Sequence, residues 1–134
     1  TGRPWPPIPA GLLDLWRTHA GYAAPPEACL INLYDAGARM GLHRDADEAA
    51  REAPVLSVSL GDSALFRLGG PRRRDPTRSF RLASGDLLVL GGAARQAHHG
   101  VDRLLAGSSR LLEGWPGLAA RRVNLTLRRV TRPG

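Results

Sequence analysis

The chain has 134 residues, enough for one compact domain that buries most of its apolar surface and too few for two. Its 19 basic residues, all arginine, outnumber 12 acids and leave a net charge of +7, which favours polyanionic partners through long-range attraction, although a basic surface also serves solubility alone. The single cysteine, Cys29, excludes an intramolecular disulfide and points to a reducing, cytoplasmic setting. No run of about 18 apolar residues offers a membrane span, and no charged-then-apolar leader is expected at the start.

The proline-rich residues 3–9 read as an extended segment. From Ala10 to Ala20, Leu12, Leu15, Trp16 and His19 or Ala20 recur at helical spacing, and Gly21 is placed to end one amphipathic helix. "YAAPPEA" is a linker by its prolines. Short strand-like runs between glycine turns follow: "CLINLY", "RMGLH", "VLSVSL", "ALFRL", "SFRL", "DLLVL", "QAHHGV" and "RRVNLTLRRV". About eight such strands predict an all-β core with one flanking helix, a sandwich or barrel of jelly-roll type. "GGPRRRDPTRS" and "DRLLAGSSRLLEGWPGLAA" read as long loops, the first carrying a basic tip that either is solvated or binds an anion.

Chemistry concentrates in "GLHRDADE", residues 41–48. On a strand, alternate side chains share a face, so His43, Asp45 and Asp47 would converge on one small volume. A histidine beside a carboxylate is two thirds of the two-histidine, one-carboxylate triad that holds non-haem iron. Candidates for the third ligand are His19, on the exposed flank of the helix, and His98 and His99, which face opposite ways if both lie on a strand. The last strand places Arg122, Asn124, Thr126 and Arg128 on one face and Val123, Leu125 and Leu127 on the other. "CLINLY" likewise sets Asn32 and Tyr34 opposite Cys29, Ile31 and Leu33. Two such polar faces turned inward would make a pocket suited to a dicarboxylate; turned outward they would be ordinary wet faces.

In their order and spacing, "RPWPPIP", "ACLINLYDAGARMGLHRDADE", "PVLSVSLGDSALFRLGG", "GDLLVLGGAARQAHHGV" and "RVNLTLR" resemble the AlkB family of Fe(II)/2-oxoglutarate-dependent dioxygenases, the bacterial alkylation-repair type most of all. The resemblance covers nearly the whole chain and implies a double-stranded β-helix (jelly roll) spanning 1–134 as a single domain. It implies Fe(II) held by His43, Asp45 and His99. It places Tyr34 and Arg122 at the distal carboxylate of 2-oxoglutarate, with Asn32, Asn124 and Arg128 around the same co-substrate. Asp47 matches an acid that contacts the bound base, and Arg73, flanked by Arg72 and Arg74, matches an arginine near the substrate. The implied activity is oxidative dealkylation of N-alkylated bases such as 1-methyladenine and 3-methylcytosine in single- or double-stranded DNA. It consumes O2, converts 2-oxoglutarate to succinate and CO2, and releases formaldehyde. RNA or a free alkylated base is the alternative substrate, and a non-catalytic nucleic-acid-binding jelly roll the alternative of another class. A cytoplasmic monomer without membrane contact is expected. The family carries a base-stacking lid ahead of the "PWP" segment, and the sequence starts after that region, so a domain without the lid is expected.

Overall fold

The computed structural model describes residues 6–35, 37–44, 52–115 and 121–131. Helix α1, Ala10–His19, is followed by β1 Ala28–Tyr34, β2 Met40–His43, β3 Val55–Gly61, β4 Ser63–Leu68, β5 Arg78–Leu82, β6 Leu87–Leu90, β7 His99–Leu105 and β8 Arg122–Arg128. Two four-stranded sheets result, in the orders β1-β8-β3-β6 and β2-β7-β4-β5, with every pair antiparallel. The chain crosses repeatedly from one sheet to the other, which makes the fold a double-stranded β-helix, the jelly roll expected from the strand pattern.

Alternation along the strands sorts side chains into two cores. Between the sheets, Tyr34, Ala64, Phe66, Leu82, Val101 and Leu104 are buried together, with Met40, Phe80 and Leu88 packed against them. Outside the first sheet, the apolar stripe of α1 covers Leu56 and Leu127 with Trp16 and Ala20. Trp16 is 2% exposed, and its indole N–H donates to the Ala24 carbonyl at 3.0 Å, so its burial leaves no polar group unsatisfied. Cys29 joins this second core half-buried, and burial pushes its thiol pKa up. The helix ends at His19 with Ala20 as its cap, and Gly21 then takes a left-handed φ of 66°. Among the described residues no helix is long and apolar enough to cross a membrane.

Three expectations need correction. "QAHHGV" is not a strand throughout: Gly92–Gln96 form a 3-10 turn, and β7 begins only at His99. It then continues through "DRLL", which the sequence reads as loop, and Leu111–Gly114 form a further 3-10 turn. The register between β4 and β7 shifts between Leu65 and Phe66, whose partners are Arg103 and Val101, so Asp102 is an extra residue in a bulge. The basic loop is also shorter than expected, since Arg78 and Ser79 already pair with Leu68 and Arg67.

Candidate active site

A cavity of about 70 Å³, partly open to solvent, lies between the sheets. It is lined by His43 and His99, by Asn32, Tyr34, Arg122, Asn124 and Arg128, and by apolar walls that include Met40, Phe66 and Leu82. The polar faces of β1 and β8 therefore turn inward, in a register that sets Tyr34 opposite Arg122 and Asn32 opposite Asn124.

At one end, His43 closes β2 and pairs in register with His99, the first residue of β7; their ring centroids are 4.4 Å apart. Close approach of the two strands depends on Gly100, where an added Cβ would meet the Met40 carbonyl at 2.6 Å. Each imidazole is set by its backbone: Nδ1 of His43 lies 3.1 Å from the Gly41 carbonyl and Nδ1 of His99 lies 3.2 Å from that of Ala97. A carbonyl only accepts, so each Nδ1 donates, which turns the Nε2 edge of each ring away from its own backbone. Phe66 stacks on His99 with centroids 5.9 Å apart, restricting its rotation. The neighbouring His98 is held elsewhere, with Nδ1 3.2 Å from the Gly70 carbonyl. Asp45 and Asp47 lie outside the described residues.

At the other end, Arg122 is 1% exposed on the central strand β8. Its Nη1 donates to the carbonyls of Asp62 at 3.2 Å and Leu82 at 3.4 Å, and its Nη2 to Ser59 Oγ at 2.8 Å. Three of its five N–H groups are thus used by the protein. Its Nε is buried without a hydrogen-bond partner among the described residues. A buried, unsatisfied guanidinium N–H costs about 1–3 kcal/mol, and a carboxylate arriving in the cavity would relieve it. Burial pulls the Arg122 pKa below its ordinary value, opposed by Tyr34 and Asp86. Burial pushes the Tyr34 hydroxyl up against the opposing charge of Arg122, so it remains a phenol able to donate.

The sequence reading misses Ser57 and Ser59. Ser57 Oγ donates to Asn124 Oδ1 at 2.6 Å, Asn124 Nδ2 donates to Thr126 Oγ1 at 2.9 Å, and Ser59 receives Arg122. The signal was present as two serines alternating within "VLSVSL", but it gains meaning only when β3 is paired with β8. Arg73 does not line the cavity. It sits in the exposed β4–β5 loop, and its Nη1 donates to the carbonyl of Leu42, the residue before His43, at 2.9 Å.

Two imidazoles at one end and a carboxylate receptor at the other fit a metal and a dicarboxylate held in one cavity. The sequence model of the 2OG-Fe(II) oxygenase superfamily matches residues 1–128. The chain is 60% identical over 129 residues to an alpha-ketoglutarate-dependent dioxygenase AlkB homolog of Caulobacter vibrioides, covering 96% of this chain and 56% of that protein. It is 39% identical over 106 residues to the DNA N(6)-methyladenine demethylase ALKBH1A of Arabidopsis thaliana, covering 75% of this chain and 31% of that protein. The solved structure of OsALKBH1 superposes with a TM-score of 0.68 at 33% identity, over 89% of this chain and 59% of that one. The chain thus spans little more than half the length of the Caulobacter relative. By matched sequence and by fold, it belongs to the AlkB family within the 2OG-Fe(II) oxygenase superfamily.

Proposed function

We propose that residues 1–134 form one dioxygenase domain that removes alkyl groups from base nitrogens in DNA, as in 1-methyladenine and 3-methylcytosine. In this reading His43, Asp45 and His99 hold Fe(II), while Asn32, Tyr34, Arg122, Asn124 and Arg128 surround 2-oxoglutarate. Asp47 and Arg73 face the base. The observation that carries the proposal is the pair of imidazoles 4.4 Å apart in the same cavity as the unsatisfied Nε of Arg122. The name of the Arabidopsis relative, a DNA demethylase, supports a nucleobase substrate.

When bound, Fe(II) with 2-oxoglutarate and O2 supplies hydroxylation of the alkyl carbon; 2-oxoglutarate becomes succinate and CO2, and the hydroxylated group leaves the base nitrogen as formaldehyde. The residues of the chain contribute position and charge. Arg122 and Tyr34 receive the distal carboxylate and so orient the rest of the dicarboxylate toward the histidines. The Nδ1–H bonds to Gly41 and Ala97 orient both imidazoles, and Phe66, stacked on His99, gives them an apolar wall. Arg73, through the Leu42 carbonyl, couples the basic loop to the backbone that carries His43. The protein acts in the cytoplasm as a monomer.

The test is mass spectrometry of methylated single-stranded oligonucleotides incubated with Fe(II), ascorbate and 2-oxoglutarate, with succinate and formaldehyde quantified. Lesion-dependent succinate with matching formaldehyde is expected. No succinate under any condition would leave a non-catalytic nucleic-acid-binding jelly roll, and faster turnover of methylated RNA or free base would replace DNA as the substrate.

A further inference from the structure

We propose that the outer face of the β2-β7-β4-β5 sheet is a second nucleic-acid contact, which grips the phosphodiester backbone of a strand whose target base is presented at the cavity. The proposal rests on the reading of the partner as nucleic acid. Ala64, Phe66, Leu82, Val101 and Leu104 of this sheet point into the core, so the residues between them face outward. Register sets Arg81 and Arg103 on either side of Leu65, and Arg67 two residues along β4 opposite Ser79. Arg81 and Arg103 are exposed; Arg67 is half-buried, with one nitrogen bonded to Thr77 Oγ1 at 3.0 Å.

Some other arginines have acids beside them: Arg17 has Asp14, Arg110 has Glu113, and Arg129 has Glu27. None of Arg67, Arg81 and Arg103 makes an ion pair among the described residues, and Asp102, in the bulge next to Arg103, is the one acid in these four strands. Diagonal neighbours on adjacent strands are about 7–8 Å apart, so Arg67 repels both Arg81 and Arg103 in the free protein. A ligand with one carboxylate relieves one of them; a chain of closely spaced phosphates relieves all three and releases its own counterions. The charge is continuous with the cavity, because exposed Arg72, Arg73 and Arg74 fill the loop that joins β4 to β5, and Arg73 reaches the Leu42 carbonyl. A linear polyanion can follow that path around the sheet edge, which a flat lipid surface cannot.

The test uses fluorescence anisotropy of a lesion-free oligothymidine titrated with the 134-residue chain at salt between about 50 and 200 mM. Its double variant Arg81→Gln/Arg103→Gln is compared with Arg17→Gln/Arg110→Gln, which removes the same charge from arginines that have acid partners. At roughly 0.7 per phosphate contact to a single strand, the first variant should flatten the log–log salt slope by about 1.4, and the second should not. Equal slopes in all three proteins would overturn the proposal, as would an equal loss in the control. If the first variant lost binding to phosphatidylserine vesicles while keeping its oligothymidine slope, the face would be a lipid surface and the proposal would again fall. The measurement needs neither iron nor turnover. Absence of formaldehyde from the unaltered chain would therefore overturn the proposed activity and leave the outcome at this face readable.

Discussion

The two ends of the cavity are built by different means. The Arg122 end is supported by interior sheet: β8 is flanked by β1 and β3, and the guanidinium is fixed by two carbonyls and a hydroxyl from two separate segments. Gly61, opposite Arg122 with a φ of 88°, shows how tight this region is, since a Cβ there would meet the Arg121 carbonyl at 2.5 Å. The histidine end rests on β2, an edge strand of four residues, and on single contacts from loops, such as Arg73 to Leu42 and Arg44 to the Pro71 carbonyl at 3.2 Å. Sheet register thus preorganises the Arg122 end, whereas the histidine end is oriented by two carbonyls and one stacked ring.

The largest expected effect is therefore at the histidine end. His99→Ala should lower Fe(II) or Mn(II) affinity by more than the roughly 10–100-fold typical of losing an outer-shell partner, and His98→Ala should leave it unchanged. Isothermal titration with Mn(II) measures both. Retained metal binding in His99→Ala with loss in His98→Ala would mean that the wrong histidine has been assigned, and that the bond from His98 to Gly70 is not its resting arrangement.

At the other end, Arg122→Lys keeps the charge but cannot present a planar fork or replace the three bonds to Asp62, Leu82 and Ser59. A charge-assisted bidentate contact contributes on the order of 1.5–3 kcal/mol, so 2-oxoglutarate affinity should fall roughly ten- to a hundredfold. Arg73→Gln, outside the cavity, should change that affinity little. Co-substrate titration of both variants breaks the comparison if they weaken binding equally.

Legibility in the sequence follows the same division. Strict alternation in "RRVNLTLRRV" and "CLINLY" reveals which residues share a face, and the polar faces do line the cavity. What alternation cannot say is which face turns inward. That depends on β3, whose Ser57 and Ser59 become partners of Asn124 and Arg122 only through pairing across more than 60 residues. β7 was misread for a local reason. The bulge at Asp102 separates the inward residues Val101 and Leu104 by three positions instead of two, which erases the strand period and makes "DRLL" look like loop. The choice between His98 and His99 is likewise beyond any pattern of adjacent identical residues; the family resemblance points to His99, and it is His99 that shares the cavity with His43.

The smallest expected effect concerns the far end of the β1–β8 pair, beyond Arg128, where Glu27 fastens the chain after β8. Its carboxylate accepts from the Val130 N–H at 2.8 Å, the Thr131 N–H at 2.6 Å and the Thr131 hydroxyl at 2.8 Å, with Arg129 Nε 3.4 Å away. The Thr131 N–H most of all, then its hydroxyl, hold the Glu27 pKa below the usual carboxylate range, with the Val130 N–H and Arg129 each adding less than burial takes away. A carboxyl whose folded-state pKa is depressed contributes stability that is present above the unfolded-state pKa and is lost as pH falls through the folded-state value. Because the group is exposed, screening keeps this contribution at about 0.2–1 kcal/mol. Glu27→Gln should therefore unfold slightly earlier than the unaltered chain at neutral pH, and thermal melts of the two should converge in acid. A gap that stayed constant from neutral pH into acid would show that the clamp acts through its shape and neutral hydrogen bonds.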